Sequence, residues 1–165
     1  MAYTVSTLAG AQPIANTETT QKHVLGTIVR GYDDTYGEGE FVYLLGVAST
    51  IVGSLVRWNA TTHQTTLVVN TAVQVCPVAV AMSANVASQY GWYQIYGNAV
   101  IKKTSVSVNP SVPIFLSATA GRIKVAASAG LQVVGARTAN LTTIVTTTST
   151  VVVTINRPHL QSQIT

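Results

Sequence analysis

Acid–base and nucleophilic catalysis need ionisable groups that converge, and this chain carries few of them. Its three histidines, His23, His63 and His159, have as neighbours Lys22, Thr62 with Gln64, and Pro158. No two stand at metal-ligand spacing and none adjoins a carboxylate, so neither a zinc site nor a Ser-His-Asp arrangement is written in the sequence. The one cysteine, Cys76, lies in the apolar run Val75-Cys76-Pro77-Val78 and reads as a small buried hydrophobe, with no partner for an intrachain disulfide. The segment from Asp33 to Glu40 is the best cation candidate, because hard cations take several oxygens from a Gly-bent loop. An acidic turn leading into a strand accounts for the same residues. Gly37 and Gly39 belong to no phosphate-binding glycine pattern that opens a helix. No catalytic residue, metal or cofactor is expected, and the chain is read as a non-enzyme.

Binding chemistry is better represented. Tyr90, Trp92, Tyr93 and Tyr96 form an aromatic cluster that could stack on sugar rings, although core or subunit-interface packing is the simpler use for them. Charge is placed unevenly. The net charge is +4, but all five carboxylates, Glu18, Asp33, Asp34, Glu38 and Glu40, precede residue 41, and seven cations follow with no acid among them. A cationic body of this kind suits an acidic protein shell, with Arg57, Lys102 and Lys103 making a salt-sensitive contribution; scattered solubilising charges are the plainer account. Nucleic acid is not expected as a partner, because no dense Lys/Arg cluster interleaved with aromatics occurs.

These groups must be held by β structure. Residues 24 onward are rich in Val, Ile, Thr and Tyr, with turn signals at the spacing of a sandwich or barrel. Strands are expected at 24–30, 40–47, 54–59, 65–70, 77–82, 91–96, 98–103, 114–118, 122–126, 132–136, 141–146 and 150–156, the last two as a closing hairpin. Residues 83–88 are the only weak candidate for a helical turn. Residues 1–22 break any apolar period and read as an extended arm; 23–165 read as a single β domain with a short C-terminal tail. The fold expected is all-β, a small antiparallel barrel or sandwich with an extended N-terminal arm.

The 165 residues are 47% hydrophobic but only 8% charged, against about 25% charged in an ordinary soluble domain. Such a composition excludes a disordered solvating chain, and the surface must rely on Thr, Ser, Asn and Gln for its solubility or be partly covered by a partner. No apolar run is long enough for a membrane-spanning helix and the first residues lack a signal-peptide pattern, so neither a membrane partner nor the general secretory route is expected.

The runs from Gly39 to Ala48, Gly53-Ser54-Leu55-Val56, Pro77 to Met82, Gly91 to Gly97 and Ile155-Asn156-Arg157-Pro158 resemble the decoration, or cement, proteins of tailed-bacteriophage heads. The resemblance spans roughly residues 24 to 160. It implies a structural virion protein, made in the host bacterial cytoplasm, that binds the outside of the capsid. It also implies a homotrimer that bridges neighbouring subunits of the phage major capsid protein. The family has no catalytic residues to carry over. Candidate capsid or subunit contacts are Leu8, Ile14, Arg57, Trp92, Tyr93, Tyr96, Lys102, Lys103 and Arg157. On this reading, loss of residues 1–20 leaves a folded domain that attaches poorly. The alternative is a virion-surface carbohydrate-binding or host-adhesion module built on the Tyr/Trp cluster.

Overall fold

The computed structural model describes residues 3–5, 11–71 and 75–161. Twelve strands make up its regular structure, with no helix among the described residues. They are β1 (Thr4–Val5), β2 (Thr17–Glu18), β3 (Ile28–Asp33), β4 (Gly37–Leu45), β5 (Leu55–Trp58) and β6 (Thr65–Leu67). The rest are β7 (Val78–Ala81), β8 (Tyr90–Lys102), β9 (Pro113–Leu116), β10 (Ile123–Lys124), β11 (Gln132–Thr138) and β12 (Thr150–Leu160). The expected all-β class holds.

All twelve strands join one antiparallel sheet that does not close. Its main path runs β1-β3-β4-β8-β12-β11-β9-β10, while β7 leaves β8 to pair with β5, which pairs with β6. An isolated parallel bridge between Lys103 and Ile123 brings the far end of this path back beside the end of β8. The curled region encloses a core that includes Leu55, Val80, Ile101, Leu116, Val153 and Ile155.

The long β8 is the spine, flanked by β4 and β12. Side chains alternate across a strand, and here both faces find partners. Phe41, Tyr43 and Trp92 enter a cluster with Tyr3, Ile14 and Val29. Their neighbours Val42, Leu44 and Tyr93 enter another with Val56, Ala81 and Ile95. Burial on both faces explains why Phe41–Leu44 and Trp92–Ile95 carry so few exposed polar positions. Each fully buried Val, Leu or Phe contributes about 1.5–3 kcal/mol of transfer free energy.

The structure corrects the expected arm. Tyr3 and Ile14 are core residues, β1 pairs with β3, and β2 pairs with β8. Residues 11–23 lie over aromatic rings: His23 packs edge-on to Tyr43 and beside Trp92, and its Nε2 is 2.7 Å from the Gln12 side-chain oxygen. The backbone N–H of Lys22 donates to the Tyr43 hydroxyl. Isolated apolar residues in a polar segment cannot form a core alone, but they can fill places in one built by other strands.

Three local expectations also change. The strands expected at 91–96 and 98–103 are one strand, since Gly97 bends β8 at φ +95° while its pairing with β12 continues through Gly97 and Ile155. Residues 141–146 are a loop with one bridge, Ile144 to Val108, so no closing hairpin forms. β12 instead pairs with β8 and β11. Residues 83–88 form turns and bends rather than helix.

Candidate functional site

Antiparallel pairing places side chains of one face in rows across the sheet. Glu40 of β4 stands opposite Tyr96 of β8, which stands opposite Asn156 of β12. In the next row Asn98 faces Thr154, which faces Arg137 of β11. This face turns outward beside the β3–β4 turn.

Glu40 is the electrostatic centre of the face, with its side chain only 9% exposed. Arg30 Nη2 lies 3.2 Å from Glu40 Oε1, and Arg157 Nη2 donates to Oε2 at 2.8 Å. Arg30 also reaches Glu38 at 3.6 Å. Strand alternation alone would send Arg157 to the opposite face from Asn156. A bulge prevents this: Val134 pairs with His159 and Ala136 with Ile155, so extra β12 residues stand opposite Gly135. Arg157 takes the left-handed conformation, φ +42°, within that bulge. Bulges commonly re-aim a side chain in this way.

The acidic turn has a structural use. Asp33 Oδ1 accepts hydrogen bonds from the backbone N–H groups of Thr35 and Tyr36 at 2.8 and 2.9 Å, closing the β3–β4 hairpin. Glu38 and Glu40 face arginines. Among the described residues no cluster of three or more His, Cys, Asp or Glu side chains is placed to hold a metal ion.

Of the residues singled out from sequence, the structure brings Tyr96 and Arg157 together around Glu40. Tyr96 is 41% exposed. Ile14, Trp92 and Tyr93 are buried and offer no outer contact surface, which also removes Trp92 and Tyr93 from any sugar-stacking platform. Leu8 lies outside the described residues. Lys103 is buried as well: its Nζ donates to the carbonyls of Val106 at 2.8 Å and Val145 at 3.1 Å, and desolvation lowers its pKa. The ammonium therefore ties loops together and offers no charge to an acidic shell.

Arg57 and Lys102 lie elsewhere. Arg57 sits on β5 beside Cys76, along a concavity of about 480 Å³ that also includes Trp58 and Gln64. Burial pushes the Cys76 thiol up, with Arg57 opposing; the side chain packs against the large core but is only partly buried, where the sequence suggested a buried one. The Gln64 amide is spent on the Gly46 carbonyl, and Asn59 Oδ1 accepts from the N–H groups of Thr61 and Thr62. Lys102 ends β8, where its N–H donates to the Gly53 carbonyl at 2.8 Å. The loop so anchored exposes Ile51 and Val52.

Sequence reasoning missed Glu40 as the shared partner of Arg30 and Arg157. The signal available was Glu38-Gly39-Glu40, two carboxylates on one face of a strand, two residues apart. Comparison with protein-family models, curated proteins and solved structures finds no match to this chain.

Proposed function

We propose that this chain is a structural protein of the tailed-bacteriophage head, one that binds the outer surface of the assembled shell and reinforces it by bridging major capsid subunits as a homotrimer. No catalytic role is part of this reading. The observation that carries it is the loop before β5, where Ile51 and Val52 stand 46% and 48% exposed beside the Lys102 end of β8. An apolar tip next to a cation suits docking onto an acidic protein surface, where apolar burial supplies affinity and charge supplies orientation. The sequence resemblance supplies the identity of that surface, and the carboxylate-free stretch after residue 41 agrees with it.

The test is mechanical. Expanded heads lacking decoration are heated with and without the purified protein, and release of packaged DNA is followed by dye fluorescence. The reading predicts release at a higher temperature with the protein present, and less protection by a Val52→Asp variant. Identical release curves with and without protein would overturn it.

A further inference from the structure

The outward face around Tyr96 is concave. A hollow of about 390 Å³ lies among Tyr36, Glu38, Tyr96, Asn98, Thr154 and Asn156. A second, of about 360 Å³, adjoins it through the shared Thr154 and Asn156 and continues to Arg137. Together they cross β4, β8, β12 and β11, three strand spacings or roughly 14 Å.

Three unusual backbone conformations border this groove: Gly97 at φ +95°, Gly135 at φ +78° and Arg157 at φ +42°. A Cβ on Gly97 would overlap the Glu38 carbonyl, and one on Gly135 would meet the Asn156 carbonyl at 2.8 Å. Left-handed residues and bulges concentrate where a sheet is shaped for a ligand.

The groove floor is organised before any ligand arrives. Thr154 Oγ1 donates to Asn98 Oδ1 at 2.8 Å, and Asn98 Nδ2 donates to the Tyr36 carbonyl at 3.4 Å. Among the described residues, the Asn156 amide, the Tyr96 hydroxyl and the Arg137 guanidinium have no protein hydrogen-bond partner. Aromatic face, amide, carboxylate and guanidinium thus line one channel.

The ligand class follows by comparing the chemistries. β8 and β12 are paired on both sides, so a peptide cannot add there as a strand and recognition must come from side chains. A polyanion would face Glu38, which lines the groove. An apolar ligand would find little beyond two tyrosines. A polyhydroxylated ring suits the set, because its C–H face stacks on tyrosine while its hydroxyls bond amide and carboxylate. We infer that the groove from Tyr36 and Tyr96 to Arg137 binds an oligosaccharide, neutral or with one acidic sugar at the Arg137 end. This inference is independent of the capsid reading and stands or falls separately.

An array of immobilised neutral and uronic-acid-containing oligosaccharides, from three to six sugars and including bacterial surface-polysaccharide fragments, is probed with the full chain; hits are titrated calorimetrically. Saturable binding is expected, weakened roughly tenfold or more by Tyr96→Ala and by Asn156→Ala, with melting temperatures confirming that both variants fold. Leu141→Ser, on a fully exposed side chain outside the groove lining, should bind as the parent does. Failure to bind any oligosaccharide on the array would overturn the inference, as would binding that both groove variants leave unchanged, or binding confined to polysulfated chains and abolished by salt.

Discussion

Arg157 donates a 2.8 Å hydrogen bond to Oε2 of Glu40, joining residues 117 positions apart in the chain. The contact exists because the β12 bulge holds Arg157 in a left-handed conformation that an L-residue adopts only at a cost of about 1–2 kcal/mol. Arg30 occupies the other carboxylate oxygen, so β3, β4 and β12 are clamped across the outer face. Arg157 is itself 63% exposed, which limits the strength of the pair.

Separating strain from ion pairing is therefore possible at one position. Arg157→Ala should lose about 1–2 kcal/mol, since it keeps the strained backbone and leaves the nearly buried Glu40 with one partner. Arg157→Gly loses the same pair but accepts the positive φ, and should be the more stable of the two by about 1 kcal/mol. Urea denaturation of both variants checks this; an alanine variant as stable as glycine would contradict it.

The N-terminal segment is part of the folded body. Ile14→Ala should cost about 2–4 kcal/mol by leaving a cavity beside Trp92 and Tyr43. Deleting residues 1–22 should expose that aromatic cluster and abolish a cooperative melt. A truncated chain melting like the parent would restore the picture of a detachable arm.

Alkaline pH should loosen the same region. Burial pushes the Tyr3 hydroxyl up to about 12 from 10.0, and its O–H donates to the Asn98 carbonyl. Because the folded state holds this proton more tightly than the unfolded chain does, stability is fully present below pH 10. It falls as pH rises from 10 to about 12, by an amount on the order of 2 kcal/mol. Tyr3→Phe should be less stable at neutral pH, through the lost hydrogen bond, and should show a shallower alkaline decline in chemical denaturation.

Lys103 acts in the opposite sense. Its folded pKa lies below 10.5, so the unfolded chain binds more protons in the interval between the two values. Stability contributed by this group rises with pH through that interval and is lost as pH falls through the folded value. Lys103→Met should remove the rise while losing the bonds to Val106 and Val145, at about 1–3 kcal/mol. A pH series of urea midpoints for parent and variant checks both effects.

The β class and most strand positions were legible because Val, Ile and Thr runs between turn residues report local backbone preference. The strands that carry Phe41–Leu44 and Trp92–Ile95 were legible for the same reason. Tyr3 and Ile14 were not, because a single apolar residue in a polar segment carries no period, and its burial is decided by strands distant in sequence. Loop 139–149 misled in the other direction: its threonines favour a strand, but β12 already has β8 and β11 as partners. Lys103 looked like half of a basic pair, yet strand alternation sends Lys102 and Lys103 to different surroundings. The Glu40–Arg157 clamp depends on a bulge that no local pattern announces.

The most direct measurement is co-sedimentation of the purified protein with expanded, undecorated phage heads, reading copies bound per major capsid subunit against protein concentration. Binding that saturates at a fixed ratio set by the capsid lattice, and weakens with rising salt, is the predicted result. Absent binding, or a ratio that drifts with concentration and never saturates, would contradict the capsid-binding role.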